Sequence, residues 1–140
     1  MYVSGEGATF TPGRFTPLFG RVKGETELAL AEMQKSNPAS LRVTSVRPGG
    51  VDWTAHEELK PFLPDLGTFR NVAAGILFPI GRYAARERWT PTEPLGRFLT
   101  GMAMGMWDGA LDGEGVERLP GGSAVVGNRG FRRMMGLDAK

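Results

Sequence analysis

The chain has 140 residues, of which 41% are hydrophobic and 23% charged, with a net charge of +2 and no cysteine. This length and composition are typical of one soluble globular domain, and the missing cysteines exclude disulfides and thiolate chemistry. Because the net positive charge is weak, we do not expect a nucleic-acid partner. The longest apolar run, Val72–Ile80, is well below the ~20 residues of a membrane span. Met1 leads directly into strand-like sequence without a basic signal-peptide start. We therefore expect a cytoplasmic protein without a membrane anchor.

The first part of the chain has the pattern of a strand, a helix and a second strand. Met1–Gly5 has strand character, and a helix is expected from Thr16 to about Lys35. Thr16 is a suitable N-cap, and Pro17 fits the first helical position. The segment Leu41–Val51 is the second strand, and it stops at a Pro-Gly pair. These elements predict a βαβ unit, in which the two strands are parallel neighbours joined by a right-handed crossover.

The predicted helix carries apolar residues at intervals of three and four. This spacing predicts one stripe facing the core, which consists of Phe19, Val22, Thr26, Ala29 and Met33.

The remainder of the chain, residues 53–140, is predicted to be a helical region with one short strand, completing a single domain over residues 1–140. Helices are expected at His56–Leu63, Thr68–Arg86 and Leu95–Leu111, a loop at Gly113–Gly122, a short strand at Ser123–Val126 and a fraying tail from Asn128 onward.

Candidate ligand-binding residues follow both predicted strands. Ser4 ends the first strand, and Pro48, Gly49 and Gly50 end the second. Parallel sheets bind ligands at the carboxyl ends of their strands, so these residues predict a crevice there. Lys23, in the first turns of the helix, could extend into that crevice. Its spacing alone also fits a solvated lysine, and that alternative stays open.

Two other groups of polar residues have less specific signals. Arg129, Arg132 and Arg133 cluster near the carboxyl terminus, where they could contact a phosphate or form a solvated helix end. His56 is the only histidine of the chain. With no second histidine or cysteine to join it, a zinc site is not predicted.

Three motifs together resemble a known family. They are Ser4-Gly5-Glu6-Gly7-Ala8, Phe19-x-x-x-Lys23-Gly24-Glu25-x-Glu27 and Arg47-Pro48-Gly49-Gly50-Val51. In this order and spacing they resemble the second half of an atypical short-chain dehydrogenase/reductase of the NAD(P)-binding, nucleoside-diphosphate-sugar epimerase-like group. The resemblance covers about residues 1–52. It implies an α/β fold with a partial, Rossmann-like parallel sheet and packed helices.

The resemblance also implies roles for individual residues. Ser4 would polarise the substrate, Lys23 would bind the nicotinamide ribose of NAD or NADP, and the turn Pro48-Gly49-Gly50-Val51 would lie near the nicotinamide. No residue is implied as a metal ligand. The catalytic tyrosine of the family's Y-x-x-x-K pattern falls on Phe19, which removes the expected general acid/base.

The resemblance further implies a missing part. The family's glycine-rich phosphate loop has no counterpart here. We therefore expect a truncated Rossmann-like domain whose sheet has an exposed strand edge, and such an edge favours pairing with another chain.

Three functional hypotheses follow from these observations. The first is a catalytically impaired NAD(P)-binding protein. The second is a non-enzymatic interaction module, or a homo-oligomer, that uses the exposed sheet edge. The third is an active NAD(P)-dependent oxidoreductase or epimerase in which Tyr2 or Tyr83 replaces the missing phenol.

Overall fold

The computed structural model describes residues 1–52, 56–62 and 85–138. They form an α/β structure with a mixed four-stranded sheet, a two-stranded parallel sheet and, within these ranges, three α-helices. In chain order the elements are β1 (Tyr2–Val3), α1 (Leu18–Ser36), β2 (Thr44–Arg47), β3 (Gly50–Asp52), β4 (Trp89–Pro91), α2 (Thr92–Ala103), β5 (Val116–Arg118), β6 (Ala124–Gly127) and α3 (Asn128–Met134). Short 3₁₀ turns occur at Glu57–Phe62, Arg86–Arg88 and Asp108–Ala110.

The predicted βαβ unit is confirmed. β1 pairs with β2 in parallel, with Tyr2 opposite Ser45 and Val3 opposite Val46, and α1 connects the two strands. The order of the four-stranded sheet is β1-β2-β6-β5, so β2 and β6 are central. β6 is parallel to β2, whereas β5 is antiparallel to β6. The predicted parallel sheet is therefore a mixed one, with three parallel strands. Within the described residues β1 lies at an edge, as expected.

One face of the sheet is packed by α2 and α3. Val46, Ala124 and Val126 project from the central strands, and they contact buried side chains of the two helices. Phe98 and Phe131 are fully buried there, and their rings meet edge to face at 5.3 Å. Such aromatic pairs contribute beyond their buried area. This face therefore contains the main hydrophobic core.

The opposite face is packed by α1, and the residues that do so were not those predicted. The buried residues of α1 are Gly20, Gly24, Glu27 and Ala31. Phe19, Val22 and Met33, members of the predicted stripe, are about half exposed on the outer side. The prediction was wrong because close approach of helix and chain requires small residues, which a hydrophobicity pattern ignores. A side chain at Gly24 would collide with the carbonyl group of Thr9.

The start of α1 also differs from its prediction. Pro17, not Thr16, is the N-cap residue, and no side chain caps the helix. The Thr16 hydroxyl instead accepts a hydrogen bond from the Gly13 amide at 2.8 Å. Thr16 therefore stabilises the loop before the helix.

The carboxyl-terminal third is more ordered than its sequence indicated. The predicted fraying tail contains α3, in which Asn128, Gly130, Phe131 and Arg132 are buried. The predicted loop Gly113–Gly122 contains β5, and the connection before α2 contains β4. The His56–Leu63 helix is a 3₁₀ turn. The predicted helix Thr68–Arg86 falls largely on residues 63–84, outside the described residues, as does Tyr83.

No helix among the described residues is long and apolar enough to cross a membrane. The same residues contain no cluster of three or more histidine or acidic side chains arranged to bind a metal ion.

Candidate functional site

The segments that follow β1 and β2 lie side by side at the carboxyl edge of the sheet. The Ser4 amide donates to the Val46 carbonyl at 2.7 Å, and the Glu6 amide donates to the Pro48 carbonyl at 3.0 Å. These bonds extend the β1–β2 pairing beyond the regular strands. The predicted neighbourhood of Ser4 and the Pro48-Gly49 turn is therefore present in the structure.

Lys23 lies at the same edge. Its Nζ donates to the carbonyl oxygens of Val3 and Ser4, at 3.3 and 3.0 Å, and lies 5.7 Å from the centre of the Tyr2 ring. The side chain is half-buried, so the alternative of a freely solvated lysine is wrong. Two of the three ammonium N–H groups are used by these carbonyls, and one remains for a ligand.

The Phe19 ring covers the glycine-containing turn after β1. A Cβ atom on Gly7 would lie 2.8 Å from Phe19 Cζ, and one on Gly5 would lie 3.6 Å from Cε2. The absence of side chains at these glycines thus makes room for the ring. Phe19 keeps 51% of its surface exposed, and it stands one helical turn before Lys23. A phenyl ring in this place has no proton to transfer.

Ser4 has an unusual environment among the predicted site residues. The residue is 6% exposed, and its hydroxyl has no hydrogen-bond partner among the described residues. Buried hydroxyl groups are nearly always paired, because an unpaired one costs about 1–3 kcal/mol. The Ser4 hydroxyl is therefore buried without a partner among the described residues, while Lys23 contacts the backbone carbonyl of the same residue.

The turn after β2 is fixed by a buried chain of hydrogen bonds. The Gly49 amide donates to the Thr90 hydroxyl at 2.8 Å, which donates to Asn128 Oδ1 at 2.7 Å. Asn128 Nδ2 then donates to the Glu87 carbonyl at 2.6 Å. Thr90 and Asn128 are 0% and 2% exposed. The Gly49 amide thus already has a hydrogen-bond acceptor within the protein. This predicted cofactor-binding residue therefore contributes only the shape of the turn.

Glycine is required at position 49 for steric reasons. A Cβ atom there would overlap the Arg88 carbonyl and lie 3.1 Å from Asn128 Nδ2. Gly50 faces the Trp89 ring, and Val51 is 41% exposed in β3, which pairs with β4.

Thr90 and Asn128 were missed by the sequence analysis. Asn128 directly follows β6, the third parallel strand, so the rule that predicted Ser4 and Pro48 also applies to it. It was overlooked because Asn128 was assigned to a fraying tail and the strand before it was not placed beside β2. No local pattern indicated Thr90.

Most of the basic residues near the carboxyl terminus are engaged within the fold. Arg132 is buried, donates to the Trp89 carbonyl at 3.0 Å and pairs with Asp138. Arg133 donates to two backbone carbonyls of the loop before β5, and Arg129 lies 3.7 Å from Glu114. Each arginine thus has its own partners within the fold. Arg132 is not part of a solvated helix end either, since it anchors α3 to β4.

Two cavities formed by described residues lie elsewhere. One of about 260 Å³ borders Arg47, Val125 and Gly127, and one of about 440 Å³ lies at the amino edge of the sheet. Neither is lined by Ser4, Lys23 or Gly49.

The comparisons with known proteins give one clear relationship. No protein-family model matches the chain, and no solved structure is significantly similar to it. The chain is 47% identical over 138 residues to the "Botcinic acid biosynthesis cluster B protein 16" of Botryotinia fuckeliana (strain B05.10), and the match covers 99% of this chain and 86% of that relative. With this identity over nearly the whole length, the chain belongs to the family of that botcinic acid cluster protein.

Proposed function

We propose that this protein binds the nicotinamide end of NAD or NADP at the carboxyl edge of its sheet, as a short-chain dehydrogenase- or epimerase-like protein with impaired catalysis. The observation that carries the proposal is that the Lys23 ammonium contacts the Ser4 carbonyl at the end of β1, where the Ser4 hydroxyl has no partner among the described residues. A Rossmann-like classification of the sheet belongs to the same proposal.

The position of these two groups supports a ligand site. In α/β sheets, ligands bind outside the carboxyl ends of parallel strands, and Ser4 and Pro48 follow two adjacent strands of this kind. Lys23 has one N–H group left, and the Ser4 hydroxyl has none of its bonds made among the described residues. A ribose hydroxyl and a carbonyl group are partners that match these donors.

Phe19 limits the proposed chemistry. A reductase of this type needs a general acid/base that donates or accepts the hydroxyl proton. Phe19 covers the turn beside Lys23 and cannot serve in that role. Tyr2 has its ring near Lys23, which leaves an active enzyme as the less favoured alternative. We therefore propose cofactor binding without ordinary turnover.

The relative supports a metabolic setting. Its name assigns it to botcinic acid biosynthesis, and we propose that this chain also takes part in a biosynthetic pathway. The substrate of that pathway is not part of the proposal.

The proposal is tested by thermal unfolding with and without millimolar NADPH or NADH. A ligand present at about 100 times its Kd stabilises the native state by about 2.7 kcal/mol, so a bound nucleotide raises the Tm. We expect one nucleotide to produce this rise, and Lys23→Gln to abolish it. Lys35→Gln is the matched control, because Lys35 is an exposed lysine of the same helix, paired only to Glu32 at 3.2 Å among the described residues. It is expected to keep the full rise.

Other outcomes of this experiment are also informative. A cooperative transition that neither nucleotide moves would refute the proposal. It would favour the second candidate function, a non-enzymatic interaction module. That candidate is supported by the outer face of α1, where Leu18, Val22 and Met33 are between half and three-quarters exposed. An equal loss of the nucleotide effect in Lys23→Gln and Lys35→Gln would show that the lysines act only through general charge.

A further inference from the structure

The amino edge of the four-stranded sheet contains the cavity of about 440 Å³. Thr44 and Ala124 begin β2 and β6, and Arg118 ends the antiparallel β5; all three line this cavity. Ser4 and Pro48 lie at the other end of the parallel strands. The cavity is therefore separate from the proposed nucleotide site.

The floor of the cavity is apolar. Val43, Leu111 and Ala124 line it and are 8%, 5% and 2% exposed, and Met102 is a half-buried neighbour. Its volume lies in the range of small-molecule sites, about 300–1,000 Å³. An apolar ligand group of modest size would therefore contact this floor, with the rest of the ligand facing the polar part of the lining.

Hydrogen bonds of the Gln34 side chain fix the walls of the cavity. Gln34, near the end of α1, donates from Nε2 to the Gly121 carbonyl at 2.7 Å and accepts at Oε1 from the Val43 amide at 2.5 Å. Gly121 and Gly122 have φ angles of +88° and +84°, which favour glycine, and they bring that turn against the helix. The cavity thus lies in a part of the fold that hydrogen bonds hold in place.

Two arginines give the rim hydrogen-bond donors for an anion. Arg42 contacts Asp108 at 3.1 Å through Nη1, and its Nε and Nη2 groups have no partner among the described residues. Arg118 contacts Asp112 at 3.2 Å and donates to the Gly122 carbonyl. Both ion pairs are exposed, and such pairs contribute only about 0–1 kcal/mol. A ligand anion can therefore replace an aspartate at little cost.

The end of α2 opposes an anion at this edge, but its effect is smaller. A helix carboxyl terminus is equivalent to roughly half a negative charge. The last carbonyls of α2, those of Thr100, Gly101 and Met102, already accept bonds from Met104, Met106 and Gly105 amides. The guanidinium charges of Arg42 and Arg118 are balanced by Asp108 and Asp112, so the preference for an anion comes from the remaining Arg42 donors and not from net charge.

We propose that this cavity binds a small organic carboxylate with an apolar body. The carboxylate forms a bidentate contact with Arg42, for which the planar guanidinium is suited, and Arg118 faces it from the other wall. The apolar body lies on Met102 and Leu111. The proposal does not depend on nucleotide binding, because the two sites share no residue.

The test is calorimetric titration of the protein with octanoate, with octylammonium and octanol as probes of equal chain length. We expect saturable octanoate binding, with both other probes at least about tenfold weaker, the loss of roughly one charge-assisted hydrogen bond. Arg42→Gln should weaken octanoate by a similar factor. Arg97→Gln is the matched control, because Arg97 is an equally exposed arginine of α2, paired to Glu93 at 2.8 Å, and it should change nothing.

A second variant and a mapping experiment make the test decisive. Ala103→Phe places a ring at an exposed position that lines the cavity; it should block octanoate while both arginines remain. Amide NMR shifts on octanoate addition should concentrate at Val43, Thr44 and Ala124. Equal binding of octanoate and octylammonium, an equal loss in Arg97→Gln, shifts centred on Ser4 and Gly49, or no saturable binding at millimolar octanoate would each overturn the proposal. Loss of fold in Arg42→Gln, seen by its melting curve, would leave Ala103→Phe to decide.

Discussion

The two faces of the central sheet are packed by different means. On the face of α2 and α3, fully buried Phe98 and Phe131 contact Val46 and Val126. On the face of α1, the buried contacts come from glycines, an ion pair and a smaller apolar cluster of Ala31, Leu119 and Val125. The first face is stabilised by apolar area removed from water, which is tolerant of detailed geometry. The second depends on close approach and on charge pairing, and neither tolerates changes in detailed geometry.

The ion pair on the α1 face is the most demanding element of that packing. Glu27 is 1% exposed in α1, and both of its oxygens accept bonds from Arg47 at the end of β2. The Arg47 guanidinium also lies 4.5 Å from the centre of the Phe10 ring. Arg47 therefore links α1, β2 and the loop that contains Phe10, directly before the Pro48-Gly49 turn.

The largest expected effect comes from breaking this pair on one side. Glu27→Ala should lower the free energy of unfolding by about 3 kcal/mol, because it leaves a mostly buried guanidinium without its partner. Denaturant unfolding followed by circular dichroism measures it. The double variant Glu27→Met with Arg47→Leu should recover most of the loss, since an apolar pair of similar volume is often as stable as a buried ion pair. A double variant as unstable as Glu27→Ala would contradict this explanation.

An intermediate effect, with opposite signs at a buried and an exposed helix position, is expected for glycine substitution. In α1, Gly24→Ala should cost about 1–3 kcal/mol, because the new Cβ would collide with the Thr9 carbonyl and the structure must shift. In α2, Gly96 has no atom within 4 Å of such a Cβ. Gly96→Ala should therefore stabilise the protein by about 0.5–1 kcal/mol, the helix-propensity gain of alanine over glycine. Chemical denaturation of both variants measures whether each substitution raises or lowers the free energy of unfolding. Two changes of the same sign would show that close packing of the glycine does not decide the effect.

The difference between the faces also explains which parts of the fold the sequence could predict. The βαβ unit was predictable, since Met1–Gly5 and Leu41–Val51 have strand patterns and Thr16-Pro17 and a later Asn-Pro pair bound the helix. The buried face of α1 was not, because hydrophobic periodicity assumes apolar packing, whereas Gly20 and Gly24 pack here by close approach. β5 has only three residues and an exposed pattern, so its existence depends on pairing with β6 and has no local signal.

The candidate site was predictable to a similar extent. Ser4 and Pro48 were found by the rule on strand ends, and the reach of Lys23 to Ser4 follows from its place on α1. Thr90 and Asn128 were not found. Thr90 bonds to the Gly49 amide 41 positions away and to Asn128 38 positions away, and such long-range polar contacts depend on tertiary structure alone.

The smallest expected effect concerns the outer side of α1, and it distinguishes a free surface from a covered one. Met33→Gln should change the free energy of unfolding by less than about 0.5 kcal/mol, because Met33 is 54% exposed and surface substitutions of this kind are nearly neutral. Ala31→Gln, two residues earlier on the buried side at 3% exposure, should cost about 1–3 kcal/mol by overpacking. Urea unfolding at two protein concentrations measures both. A large cost for Met33→Gln that grows with protein concentration would mean that a second copy covers this face in solution, since association makes stability concentration-dependent. The interaction-module function would then gain its first direct support.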